Sequence, residues 1–449
     1  YLTWSNELRN YAPIRSSAAD YWNAQATVDL PLLPIDKGNY ETTATLDGLC
    51  HFSLSPEKTE LLQTVIHRVY HTQINDVLLT ALGIALEEVF EAKKYVIILE
   101  GHGRQEILEH VDVTRTVGWF TSIYPFVMDS ASEDIESSLI DIKEGLRKIP
   151  NNGVDYGILK FLGNEEGLDI QGKIEFNYLG DFGSGVKTAS DKDRLFDYAA
   201  ENFGLEVSKA NKRPVFISVA GMVVNEKLTM TINYSEIHYQ EETIRNLTEC
   251  FQASLEQLIE SLSQTDRTPR LTPSDLTFKS LRIDELEVLE AYNLEDVYPL
   301  SPLQMGMYYH WLSAPENSIY HQQTAYRIKS QKLNSEYLSK AYDQLVQRHA
   351  VLRTSFHNEY GGIPLQIVHK QVPTRFRFVT NPTLDGKDAE TWVQNQIELD
   401  RNQPFSLLEP GQMRLTVLEV TPGTYEFVWT HHHILMDGWC VSILVNEFY

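Results

Sequence analysis

Three consecutive histidines, His431-His432-His433, followed by Asp437-Gly438, form one of two places in this 449-residue sequence where side chains could do chemistry. Histidine titrates near neutral pH, so its imidazole can take a proton from an attacking amine or hold that amine in line. A nearby carboxylate can fix the turn that carries the ring. The second place is Glu100-Gly101-His102-Gly103-Arg104. A carboxylate whose proton affinity is raised by burial can remove a proton from a carbon acid, provided a partner stabilises the resulting carbanion or returns the proton from the opposite face. Gly101-x-Gly103 lacks the rest of a dinucleotide fingerprint, so no cofactor loop is indicated.

Both groups must be delivered by strands. Tyr425-Glu426-Phe427-Val428-Trp429-Thr430 reads as a strand with the histidines at its end, Asp437-Gly438 as a turn, and Trp439 onwards as a helix. Tyr95–Leu99 is a short apolar run typical of a buried strand, and it leads straight into Glu100 with glycines that let the backbone turn. Other readings compete at each place. His431 and His433 would share one face of the strand and could bind a metal if Asp437 folded back as a third ligand. The histidines could equally be a buried structural pair, and Glu100 could merely cap a turn. Cys440 invites a thiol-nucleophile reading, against that of a small buried residue at a helix start.

Around these segments the pattern is mixed α/β. Residues 1–265 alternate helical periodicity (Leu8–Asn23, Asn75–Phe90, Glu241–Leu262) with strands (Tyr95–Leu99, Lys173–Tyr178, Pro214–Val223, Leu228–Asn233). Residues 266–294 are polar, with two prolines and an acidic stretch, and read as a linker. Residues 295–449 form a second α/β block: a helix from Pro302, a strand at Thr324–Ile328, a helix at Ser335–Arg348, then strands at Leu352–His357, Gln366–His369, Met413–Val420 and Tyr425–Thr430. Both ends of the sequence read as the interior of a fold. With 62 acidic and 38 basic residues the net charge is −24, which argues against a nucleic-acid groove or an anionic membrane surface. Three scattered cysteines fit a reducing compartment, and the expectation is a cytoplasmic protein without a bound metal.

The second block resembles the condensation domain of nonribosomal peptide synthetases through three motifs in order: Ser301-Pro302-Leu303-Gln304-Met305-Gly306-Met307, Arg348-His349-Ala350-Val351-Leu352-Arg353-Thr354-Ser355-Phe356, and His432-His433-x-x-x-Asp437-Gly438. The first block resembles the C-terminal lobe of the related epimerization domain. It carries Glu100–Arg104, then Arg115-Thr116-Val117-Gly118-Trp119-Phe120-Thr121, Pro150-Asn151-Asn152-Gly153-Val154-Asp155-Tyr156-Gly157, and Phe176-Asn177-Tyr178-Leu179-Gly180. The resemblance implies a two-lobed fold like chloramphenicol acetyltransferase, with a tunnel where the phosphopantetheine arms of two peptidyl carrier proteins meet.

It further implies that His433 is catalytic in amide formation, with His432 in support, and that Asp437 is structural, paired with Arg353, with Gly438 permitting the tight turn. Glu100 would be the epimerization base, and Asn177, Tyr178 and Trp439 would line the tunnels. Epimerization followed by condensation implies a D-configured donor joined to an L-acceptor. The epimerization pattern also calls for a histidine motif before Glu100, but residues 1–99 hold only His51, His67 and His71. Two alternatives follow: a fragment that only binds carrier proteins, or a hybrid in which the two half-domains form one tunnel.

Overall fold

Strict alternation along a strand lets it bury one face and leave the other free. Ile217–Val224 and Lys227–Tyr234 do this residue by residue. They belong to a six-stranded sheet in the order Gly48–Ser53, Lys227–Tyr234, Ile217–Val224, Ile174–Asp181, Lys94–Gly101, Ser122–Asp129. The strand Ile174–Asp181 is parallel to both its neighbours, and the other pairs are antiparallel. Ile97, Leu99, Phe176, Val219 and Ile232 point from one face into a core shared with the helices Ile74–Phe90 and Glu241–Leu262. The opposite face carries Glu100, Asn177 and Thr231.

In this computed structural model residues 1–11, 17–39, 45–129, 134–163, 168–182, 208, 211–383 and 388–449 are described, and the chain divides into Tyr1–Arg270 and Leu271–Tyr449. The first unit holds the six-stranded sheet. The second holds an antiparallel three-stranded sheet, Leu294–Pro299, Leu365–His369, Thr354–His357, and a four-stranded sheet, Phe376–Thr380, Met413–Thr421, Thr424–His432, His321–Lys329, whose first pair alone is parallel. Thr424–His432 is buried on both faces. Phe427 and Trp429 pack with Met307, Trp311, Leu345 and Phe448, while Val428 faces Ala389, Val393 and Leu418.

Three expectations need correction. Residues 8–23 do not form one helix: Leu2–Asn10 ends at Tyr11, whose backbone is extended, and Ser17–Ala26 is a separate helix. Leu352–His357 is not strand throughout, because Ala350–Arg353 form a 3₁₀ turn before the strand Thr354–His357. Residues 266–294 are not an open linker. A short 3₁₀ turn at Pro273–Asp275 and the helix Ile283–Glu290 place Leu276, Leu281, Leu286, Leu289 and Leu294 in a core with Val297, Leu365 and Ile367. Prolines and polar residues masked that leucine spacing. Truncating Leu289 should therefore destabilise the second unit by about 2–5 kcal/mol. Urea unfolding of Leu289→Ala checks this, and an unchanged midpoint would return the segment to the role of a linker.

Candidate active sites at two strand ends

The strand Thr424–His432 ends inside the second unit, so the residues beyond it need partners for their backbone groups. His432 N–H donates to Gln412 O at 3.0 Å, and His433 N–H donates to Tyr320 O at 2.8 Å. Tyr320 holds a left-handed backbone (φ 68°), uncommon for a bulky residue, where it presents that carbonyl. The His433 ring then bends back: Nδ1 lies 3.0 Å from Met436 O. A carbonyl only accepts, so Nδ1 carries a proton, and in the neutral form of the ring the lone pair is on Nε2. His432 has the opposite tautomer, because its Nδ1 accepts from Ile434 N–H at 3.2 Å. Burial pushes His432 down to about 3 and His431 to about 4, so both stay neutral. Among the described residues no group of three histidine, cysteine or acidic side chains is arranged to hold a metal ion.

The supports differ from those expected. Asp437 is not paired with Arg353. It precedes the helix Gly438–Phe448, and its carboxylate accepts from Trp439 N–H at 3.0 Å and Cys440 N–H at 3.3 Å, satisfying orphan donors of the first turn. Hydrogen bonds from Cys440 hold that carboxyl below its usual range. Arg353 is buried elsewhere. Its guanidinium donates to Glu295 at 2.6 Å, to Val346 O at 3.2 Å and to His369 O, joining helix Ser335–Arg348 to two strands of the three-stranded sheet. Gly438 is not needed for a tight turn: its φ lies outside the left-handed region, and nothing lies within 4 Å of where a Cβ would stand. Cys440 donates its thiol to Asp437 at 3.4 Å, and burial with that contact pushes its pKa up, the wrong direction for a nucleophile. Trp439 is 79% exposed beside the turn.

One anchor of this turn was missed from sequence. Gln304, in the helix Pro302–Ser313, donates to Ile434 O at 2.9 Å and to Gln366 Oε1 at 3.0 Å, so the first of the three motifs reaches the third.

In the first unit Glu100 stands at the end of Lys94–Gly101. Asn177, one strand over on the same face, donates to Glu100 Oε2 at 2.7 Å and orients it. Burial, and behind it the charge of Glu175, push the Glu100 carboxyl up, while Arg213 pulls it down. Glu175 is itself held by Arg213 at 2.5 Å and by Ser218 Oγ at 2.5 Å. Glu100, Asn177 and Tyr178 line one small pocket with Asp76, Arg147 and Asn152. Asp76 and Arg147 form a bidentate ion pair, at 3.0 and 2.7 Å, that ties helix Ile74–Phe90 to Ile135–Arg147 along this wall. Periodicity had placed Asp76 in a helix without hinting at that partner.

Arg104 and Gly103 of the Glu-Gly-His-Gly-Arg motif shape the backbone after the strand. Arg104 donates to Val113 O and to Thr116 O at 2.9 Å and lies 4.1 Å over the Phe120 ring, pinning the following loop. Gly103 has φ +64°, and a Cβ there would lie 1.6 Å from Phe120 O, so only glycine fits. His51 is on the same sheet face as Glu100, in a row through Asn177, Ala220 and Thr231. Four strand spacings separate them, roughly 19 Å, too far for His51 to serve as the partner of Glu100.

Comparison with known proteins gives three findings. A family model described as the condensation domain matches residues 1–279 and 294–449. Bacitracin synthase 1 of Bacillus licheniformis is 30% identical over 460 residues, and bacitracin synthase 3 of the same organism is 32% identical over 461. Each match covers all of this chain but only 8% and 7% of those proteins, so the chain spans under a tenth of their length. The crystal structure of the epimerization domain from the third module of tyrocidine synthetase B is 34% identical with a TM-score of 0.53, covering 58% of this chain and 59% of that one.

The neutral buried histidines have a measurable consequence. Their folded pKa values lie below the ordinary value of about 6.5, so the unfolded chain binds more protons as pH falls. Their contribution is complete above about pH 7 and is lost as pH falls through 6.5 toward 4 and 3. His321, His357 and His369, also lowered by burial, act in the same direction. Each imidazole kept neutral should remove up to about 1.4 kcal/mol of stability per pH unit below 6.5. Urea unfolding at pH 8, 6.5 and 5 reads this; equal stability at pH 8 and 5 would contradict it.

Proposed function

The chain belongs to the condensation-domain family of nonribosomal peptide synthetases, with its chloramphenicol acetyltransferase-like two-lobed fold, and on that premise we propose an assignment for each part. Residues 1–265 are the C-terminal lobe of an epimerization domain, and residues 295–449 are the N-terminal lobe of a condensation domain. Their substrates are aminoacyl or peptidyl thioesters on the phosphopantetheine arms of carrier proteins.

The observation that carries the condensation assignment is the 3.0 Å contact between His433 Nδ1 and Met436 O, from which we infer the tautomer with a free Nε2. With Nδ1–H held, Nε2 accepts the proton of the acceptor amine as its nitrogen attacks the donor thioester. The new C–N bond forms, the C–S bond breaks, and the phosphopantetheine sulfur leaves as a thiolate that takes up a proton. His432 and Asp437 hold the turn, and Trp439 stands at the tunnel wall. The epimerization assignment is supported by the likeness to a solved epimerization domain and by the Asn177–Glu100 contact. Glu100, made more basic by its surroundings, removes or returns the α-proton on one face of the thioester, and a histidine of the other lobe serves the opposite face. Tyr178 lines the same pocket. The order of the two domains makes the donor D-configured and the acceptor L-configured.

In the full-length synthetase, His433→Ala should lower dipeptide formation between loaded carrier proteins by about 10²–10⁴-fold; undiminished product would remove His433 from catalysis. Glu100→Gln should lower solvent exchange of the donor α-proton over a similar range, of order 10²–10⁴. Exchange at the wild-type rate would assign the base elsewhere.

A further inference from the structure

Gln304 uses every hydrogen-bonding group of its amide. Oε1 accepts from Ser301 N–H at 3.0 Å, closing a capping box with the Ser301 hydroxyl at the start of Pro302–Ser313. The two Nε2 hydrogens go to Ile434 O at 2.9 Å and Gln366 Oε1 at 3.0 Å. Gln366 in turn donates to Tyr298 OH at 3.1 Å. Ile434 and Gln366 are both buried. One side chain thus couples a helix start, two strands of the three-stranded sheet and the residue immediately after His433.

That last contact matters for the chemistry. The Ile434 carbonyl belongs to the middle peptide of the turn from His433 to Met436, and the Met436 carbonyl is what holds His433 Nδ1–H. If the turn shifts, Met436 O leaves the ring, and nothing then selects the tautomer with a free Nε2. We propose that Gln304 is a positioning residue for His433, setting its tautomer and aim by fixing the turn through Ile434 O. The proposal rests on the reading of His433 as the group that receives the amine proton.

The two roles of Gln304 can be separated. A glutamate at position 304 keeps an acceptor for Ser301 N–H, and so the capping box, but offers no hydrogen to Ile434 O. Ser301→Ala does the reverse, weakening the cap and leaving the tether. The test uses the full chain with ¹⁵N-labelled histidine, His433 being assigned by difference with His433→Asn, and in parallel amide formation by the full-length synthetase on loaded carrier proteins. In the wild type, the His433 nitrogen shifts should report a protonated Nδ1 and an unprotonated Nε2. Q304E should move the proton population toward Nε2 and lower kcat about 10- to 100-fold, the scale of a misplaced catalytic group, with KM for the loaded acceptor carrier unchanged. Q304M, of similar length and uncharged, should give the same nitrogen shifts if the charge of Q304E prevents folding. S301A should lower the thermal midpoint while leaving nitrogen shifts and kcat at wild-type values.

Wild-type shifts and rate in both Gln304 variants would overturn the proposal, as would S301A reproducing their effects, which would mean that any loosening of the helix suffices. A moved proton with product formation undiminished in both Q304E and His433→Ala would instead defeat the catalytic reading of His433 and leave the positioning role standing.

Discussion

A strand that stops in the interior leaves peptide groups that water cannot reach, and each must find a partner inside the protein. The end of Thr424–His432 meets that requirement with Gln412 O, Tyr320 O and the Gln304 amide, and Met436 O is met by the His433 ring. The same contacts that satisfy the backbone fix the imidazole. His433 gains a defined tautomer because a carbonyl faces Nδ1, and His432 gains the opposite one because an N–H faces the same atom of its own ring. Chemical asymmetry between adjacent identical side chains thus comes from backbone geometry, with no charged neighbour needed to create it.

The first unit solves a related problem with a sheet that is buried on one face only. Leu99 and Phe176 point into the helices, so Glu100 and Asn177, the next residue on each strand, must point the other way and side by side. That parity, set by the pleat, is what lets an amide orient a carboxylate at 2.7 Å. Arg104 and Gly103 then fix the chain beyond the strand against Val113, Thr116 and Phe120.

Ion pairs with at least one buried partner tie together the elements that frame His433 and Glu100. Asp76–Arg147 joins two helices along the Glu100 pocket, Arg353–Glu295 joins a helix to a strand, and Arg414–Asp400 sits beneath Thr430, two residues before His432. Such pairs contribute little net stability once desolvation is counted, yet losing one partner leaves a buried charge and is strongly destabilising. They therefore resist alternative packings of the elements they join, which is what a site built on strand ends requires.

The sequence by itself determined the mixed α/β class, most of the strands, the motifs and the placing of two candidate groups at strand ends, because each rests on local signals: period-two or continuous apolar runs, and glycines beside a strand end. His433 and Glu100 were legible because strand ends can be read from a few neighbouring residues. Only the tertiary structure decided who holds them. Asp437 could be paired with Arg353 in sequence, since both are charged and lie in family motifs, but a carboxylate one residue before a helix is drawn to that helix's free N–H groups, while Arg353 is enclosed among Glu295, Val346 and His369. The leucines of 276–294 were hidden by prolines and polar residues until Leu365 and Ile367, some 70 residues away, supplied the other side of their core. Gln304, 130 residues from Ile434, is the same case: hydrogen-bond partners so distant are chosen by how sheets and helices pack, and no local pattern records the choice.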